Sequence, residues 1–419
     1  MRLLCLVLAL LGLASPATAD TALLNRLEAV RLSHDLAGVV GARIERGRVV
    51  AIEAAGCARF AEDGRRCVLA LQPHQKMRVA SISKLFVAYA AQRLVQEGKL
   101  DLNRDVSDYL DFRLRNPAFP DAPITVGQLL THTSSLRDEA TYWALVPNPL
   151  SSLFTGDRFF AKDHAPGTFF TYANINTGVL GTVLERASGE RFDRLLQRVV
   201  FGPAGITAGY NWIGAESVPA PQVATLYRKR DAQEVWDSSG PWRPQVDGAG
   251  AQALVRGIDG PVALPADYVI GSNGSLFSPQ GGLRISGRDV ARLLTVMARG
   301  GRLEGKALLS PARARSLVAP VWQANAERTN GATEKDFFLG YGLGAHRFTV
   351  PGSPTLYAGH FADAFGLLGG AGIDPVSGNG FVYLITGFAS DPMPDDQREP
   401  GAPGYSSAEA AAIRAILRQ

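Results

Sequence analysis

The chain has 419 residues, 46% of them hydrophobic and 20% charged, with a formal net charge of +4. That is ordinary globular composition, enough for one large two-lobed enzyme domain or two to three smaller domains. Acidic and basic residues are mixed, with no long basic run and no aromatic-basic interleaving. This argues against a nucleic-acid partner and leaves solubility or weak attraction to polyanions.

Arg2, the apolar run Leu3 to Ala14 and the small residues Ala17-Thr18-Ala19 read as a secretory signal peptide cut after Ala19. The expected location is periplasmic or secreted, without stable membrane insertion after cleavage. An uncleaved anchor is the alternative, disfavoured because the apolar run is short for a span. Cys5 is lost with the signal. Cys57 and Cys67 then remain, in a loop-like stretch with Gly56, Asp63 and Gly64. In an exported chain they suggest one disulfide pinning a loop near the Ser81-to-Lys84 stretch; two free thiols or a metal pair are the alternatives.

After the signal, Leu23 to Leu36 has helical apolar spacing. Gly38 to Ile44 and Val49 to Ala55 read as strands of a hairpin turning at Glu45-Arg46-Gly47-Arg48. An almost wholly apolar helix follows Ser81-Ile82-Ser83-Lys84 and ends near Glu97-Gly98. Residues 100–204 read as mostly helical with breaks. They include a helix capped by Thr125 and another from Asn174 to Ala187 that stops at Ser188-Gly189. Residues 211–270, rich in Pro, Gly and Ala, read as an irregular insertion, and Gly287 to Arg299 returns to helix. Phe337 to Phe348, Gly366 to Ile373 and Phe381 to Phe388 read as strands, the last two joined through Asp374 to Gly380. Ser406 to Gln419 is a closing helix with a Ser406/Glu409 capping box.

Three segments carry candidate chemistry. Ser81 and Lys84 lie one helical turn apart, at a helix N-terminus that favours negative charge. Ser-x-x-Lys alone arises by chance about once in a few hundred residues, and the bland readings are a helix cap and a solvated lysine. A lysine on so apolar a helix would be buried, and burial lowers its pKa toward a neutral, basic amine. Tyr172 and Asn174 stand at a loop-to-helix junction. Tyr172 could relay a proton if a nearby ammonium lowered its pKa. Asn174 could donate to a substrate carbonyl and accept from the lysine; the alternatives are a packed tyrosine and a capping asparagine. His360 stands just before a late strand, and no histidine shows metal-ligand spacing.

In this order the segments resemble the serine β-lactamase and penicillin-recognising hydrolase superfamily, in its class C β-lactamase, DD-peptidase and family VIII esterase branch. Further matching blocks are Glu97 to Leu102, Ile124 to Leu136, Pro166 to Phe192 and Ser278 to Val290. The resemblance implies an α+β fold: an antiparallel sheet from both chain ends, flanked by helices, with an inserted mainly helical lobe. The organisation expected is a single domain over 20–419. Its α/β lobe covers about 20–75 and 305–419, and its helical lobe about 76–304.

The resemblance also implies a mechanism. Ser81 attacks an acyl carbonyl, Lys84 and Tyr172 share removal of its proton, and Asn174 and His360 bind substrate. The backbone N–H groups of Ser81 and Asp363 form the oxyanion hole. No cofactor or metal is implied, the partner is a small acyl or peptide substrate, and the oligomeric state is open. His360-Phe361-Ala362 stands where β-lactamases of this group carry Lys-Thr-Gly, which points away from a dedicated β-lactamase. The expected activity is on amide or ester bonds of D-amino-acid or cell-wall-type substrates. A carboxylesterase is the alternative, and a silent binding protein a third reading. Trp212, Trp236 and Trp242 either wall the substrate site or simply pack.

Overall fold

The computed structural model describes residues 20–231, 233, 235–391 and 398–418; the signal segment, with Cys5, lies outside them. Helix α1 (Thr21–Ser33) begins on Asp20, whose carboxylate accepts from the Leu23 N–H at 3.0 Å. The strands β1 (Gly38–Glu45), β2 (Arg48–Phe60), β3 (Cys67–Ala70) and β4 (Lys76–Arg78) follow. Helices α2 (Ser83–Gln96), α3 (Val126–Leu130) and α4 (Asn174–Ser188) make the frame of the second lobe. Then come β5 (Gly209–Tyr210), β6 (Leu283–Ser286) and α5 (Gly287–Leu294). The chain closes through β7 (Trp322–Gln323), β8 (Gly340–Tyr341), β9 (His346–Val350), β10 (Ser353–Ala364), β11 (Leu367–Ile373), β12 (Gly380–Ile385) and α6 (Ser407–Leu417).

Nine strands form one antiparallel sheet in the order β7-β8-β9-β10-β11-β12-β1-β2-β3. Both chain ends therefore meet at its centre, where β1 pairs with β12. Side chains alternate between two buried faces. Phe381, Tyr383 and Ile385 pack with Leu23 and Leu27 of α1 and Ile413 and Ile416 of α6. Val382 and Leu384 face the other way, into the core shared with α2 and α5. The closing capping box is present, with Ser406 and Glu409 each bonding the other's backbone N–H. Among the described residues no helix is long and apolar enough to cross a membrane.

Four expectations change. The stretch from 100 to 173 is sparsely helical. It holds the five-residue α3 and short 3-10 turns, and prolines at 117, 120, 123, 147 and 149 bar helix on either side of 124–146. His360 lies inside a strand, not before one. β10 runs from Ser353 to Ala364, and Gly359 permits its tight contact with β11, since a Cβ there would sit 1.8 Å from the Ala371 carbonyl. Residues 211–270 contain strands: Leu226–Arg228 pairs with Gly387–Phe388 and Arg243–Val246, and Val255–Gly257 with Gly260–Val262.

The disulfide Cys57–Cys67 is formed, with Cα atoms 5.8 Å apart, but it joins the paired strands β2 and β3 and pins no loop at the candidate site. It lies at the far edge of the sheet from β10, roughly 20 Å away at about 4.8 Å per strand. Replacing both cysteines by serine is expected to lower unfolding free energy by about 2–3 kcal/mol. The activity of the still-folded protein should stay unchanged, and denaturant unfolding beside an activity assay checks both.

Candidate active site

Ser81 sits in a 3-10 turn, Ala80–Ile82, that runs straight into α2. Ala80 just before it holds a left-handed φ of 41°, a strained conformation for a residue with a Cβ. α2 is buried along most of its length, so Lys84 emerges beneath Ser81 with only 4% of its surface exposed. Its Nζ donates to Ser81 Oγ at 3.0 Å, Asn174 Oδ1 at 2.8 Å and the Gln280 carbonyl at 2.8 Å. Burial pushes the ammonium down to about 7, against a smaller opposing pull from Asp138. When the amine is neutral, one of those three directions becomes a lone pair. Ser81 Oγ is the partner there with a proton to give.

Asn174 opens α4, and Asp138 holds it in place. One carboxylate oxygen accepts from the Asn174 N–H at 2.8 Å and its side-chain amide at 2.9 Å, and the other from the Ile175 N–H at 2.9 Å. With Nδ2 held by Asp138, Oδ1 must face the lysine. Asp138 was not picked out from the sequence. An acidic residue at a helix N-terminus is a common device, but this one arrives from 36 positions upstream and leaves no local pattern. The Gln280 carbonyl left none either, being a backbone group.

Tyr172 lies half-buried beside Lys84, its ring centroid 5.0 Å from Nζ. Burial drives its phenol well above the ordinary value, and an interaction with the Ser81 hydroxyl only partly offsets this. The shift runs opposite to the lowering considered for Tyr172: a phenol held up keeps its proton near neutrality and has it to donate. Its ring packs at 4.6 Å on His132, which burial holds neutral, down to about 3. His132 Nδ1 accepts from the Ala173 N–H at 3.2 Å, which fixes the tyrosine's backbone approach.

His360 is neutral as well, burial and the Lys84 charge holding it well below its usual value. Nδ1 lies 2.7 Å from the Phe361 carbonyl, which can only accept, so the proton is on Nδ1 and Nε2 accepts from the Tyr341 hydroxyl at 3.1 Å. Both ring nitrogens are thus engaged inside the protein. His360 forms wall, and its ring offers substrate no free nitrogen. Phe361 and Asp363 point their side chains to the opposite face of β10 by the strand's alternation. Phe361 packs on Phe337 and Phe348 there, and both Phe361 and the exposed Asp363 reach the rim of the cleft.

Ser81, Tyr172, Asn174 and His360 open onto one cleft of 410 Å³, which Phe337 and Phe338 also line. Phe338 stacks on Tyr172 at 5.2 Å. None of the three tryptophans lines it. Trp212 donates to Asp247, Trp236 packs on Phe388, and Trp242 stacks on Phe60. The aromatic wall comes instead from the connection before β8.

A family model described as Beta-lactamase matches residues 22–402. The D-alanyl-D-alanine-carboxypeptidase/endopeptidase AmpH of Escherichia coli (strain K12) is 30% identical over 136 residues, 31% of this chain and 35% of that protein. The curated relatives that the chain matches are covered over about a third of their own length or less. Among solved structures, the D-amino acid amidase of Ochrobactrum anthropi SV3 superposes with a TM-score of 0.64 at 18% identity, covering 95% of this chain and 98% of that one. EstCE1, a hydrolase with promiscuous acyltransferase activity, gives 0.64 at 21%, covering 95% and 99%. At such identities the likeness is one of fold.

Proposed function

The chain belongs to the beta-lactamase family of serine hydrolases, and on that premise we propose that it is an exported hydrolase working through an acyl-enzyme on Ser81. Its substrates are small amides or esters of peptide-like acids. The observation that carries this is the Lys84 ammonium, 3.0 Å from Ser81 Oγ and pushed down to about 7. Near neutrality a large share of the molecules hold an uncharged amine against the nucleophile.

The neutral Lys84 takes the Ser81 proton as Oγ bonds to the acyl carbon. The carbonyl π electrons move onto oxygen. As the tetrahedral species collapses, the carbon–leaving-group bond breaks, and Tyr172 passes its proton to the departing nitrogen or oxygen while Lys84 restores the phenol. Water repeats the sequence on the acyl-enzyme and returns Ser81. Two N–H groups support the oxyanion. Ser81 lies at a helix start, where the first N–H groups have no intrahelical acceptor. The other is that of Asp363. β9 pairs with β10 only as far as Gly359, and the Phe361 carbonyl, bonded to the His360 ring, marks the edge left open. Alternate residues of a strand share an edge, so the Asp363 N–H faces the same way. One such donor typically carries about 3–4 kcal/mol of transition-state stabilisation.

The neutral, internally bonded His360 and the rings of Tyr172, Phe337 and Phe338 give an acyl group an apolar wall, which lends the carboxylesterase reading its own support. Glu334, Lys335, Asp363 and Arg398 line other parts of the cleft. The purified chain is expected to turn over p-nitrophenyl butyrate measurably and nitrocefin slowly or not at all. Efficient nitrocefin hydrolysis would overturn the demotion of β-lactamase activity, and inertness toward esters, amides and lactams alike would overturn the hydrolase.

A further inference from the structure

A second cavity, of 520 Å³, shares no lining residue with the catalytic cleft, yet its wall includes Arg78, three positions before the nucleophile. Three guanidinium groups converge on it: Arg78, Arg256 and Arg284. Arg78 and Arg284 stand directly opposite each other on β4 and β6, both more than nine-tenths buried. Like charges facing each other across strands repel, the more so out of water.

One carboxylate answers them, and it is already used. Asp247 takes Arg284 through both oxygens, at 3.0 and 3.2 Å, and the Trp212 indole N–H at 2.9 Å. Among the described residues neither Arg78 nor Arg256 forms an ion pair, although the charge of Asp247 is felt at Arg78. Arg78 gives its Nε to the Gly281 carbonyl at 2.8 Å and lies 4.2 Å from the Phe365 ring. Arg256 lies 3.5 Å from the Trp143 ring and keeps one buried terminal nitrogen unbonded. An aromatic face holds a guanidinium plane while leaving its in-plane N–H donors free. Phe365 is held for this at a left-handed φ of 57°, in the turn that joins β10 to β11. Burial and the two neighbouring arginines push the Arg78 guanidinium down to about 9, a penalty that a bound anion would relieve.

We propose that this cavity is an oxyanion-binding site, where Arg78 and Arg256 receive the in-plane oxygens of a carboxylate or phosphate. The anion arrives either as a carboxylate on the substrate, remote from the carbonyl that Ser81 attacks, or as a free ion. The substrate-borne case rests on the hydrolase reading; binding of the free ion does not.

Calorimetric titration at low ionic strength with N-acetylglycine, its neutral twin N-acetylglycinamide and inorganic phosphate tests the site itself. The charged probes should bind and the neutral one should not, and Arg256→Gln should weaken them about ten- to hundredfold. Arg256→Lys, with charge but no fork, should fall between. Steady-state kinetics then distinguish the sources. If the anion is substrate-borne, p-nitrophenyl hemisuccinate shows a lower KM than p-nitrophenyl butyrate, and Arg256→Gln erases that difference while leaving butyrate turnover as it was. If it is a free ion, phosphate binds and the two esters behave alike. The site is overturned if neither charged probe binds, or if both bind equally well to folded Arg256→Gln. A chain that binds the probes but hydrolyses nothing refutes the hydrolase reading and leaves the site standing.

Discussion

Ser81→Ala abolishes turnover of p-nitrophenyl butyrate, by on the order of 10⁴-fold or more, and removes covalent labelling by a fluorophosphonate probe. The size follows from what the hydroxyl alone does. Without Oγ no acyl bond can form, and Lys84 and Tyr172 have no proton to move. Groups that act as one unit lose nearly all their effect when any member goes. The fold should tolerate the change. Ser81 is only half-buried and gives up its hydrogen bonds with Lys84 and Tyr172, worth about 1 kcal/mol each, so thermal unfolding should shift by a few degrees at most. Labelling that persists in Ser81→Ala would assign the nucleophile elsewhere. A wild-type chain that takes no label would favour a silent binding protein.

Lys84→Met should lower kcat/KM by about 10²–10⁴-fold, the usual contribution of a positioned base, and should also remove its rising acidic limb. In the wild type the basic form is the neutral amine, with Lys84 pushed down to about 7, so kcat/KM climbs with pH and passes half-maximum near pH 7. Stability has its own sign. The folded pKa lies below the ordinary 10.5, so protons bind the unfolded chain more readily between those values. The lysine's contribution is complete above about pH 10.5, falls as pH drops toward 7, and is constant below. Lys84→Met lacks that slope, and denaturant unfolding at several pH values between 7 and 10 would show it. A wild-type rate profile flat from pH 5 to 9 would remove Lys84 as the base.

The cavity arginines show how differently parts of this chain could be read. Ser81 and Lys84 are three residues apart on one helix start, and helical geometry alone brings them together. Thr125 and Ser406 likewise cap their helices through contacts three residues away. The polar link Glu45 to Arg48, with its glycine between two β-like runs, announced the β1–β2 hairpin, and the order of the motifs identified the superfamily. All of that is local spacing, or local spacing repeated in order, which one sequence displays directly.

What the tertiary structure alone decided depends on partners far apart in the chain. Lys84 is pushed well below its ordinary pKa because α4 and the Gln280 loop, 90 and 196 residues on, bury and bond it. Tyr172 is held above its ordinary pKa by desolvation, where the sequence suggested a lowering by a neighbouring charge. Asp138 aims Asn174, Tyr341 takes up the Nε2 of His360, and Arg78 meets Arg284 with Asp247 already engaged. The physical reason is the same each time. Backbone geometry is set by near neighbours in sequence, whereas desolvation and charge pairing are set by near neighbours in space.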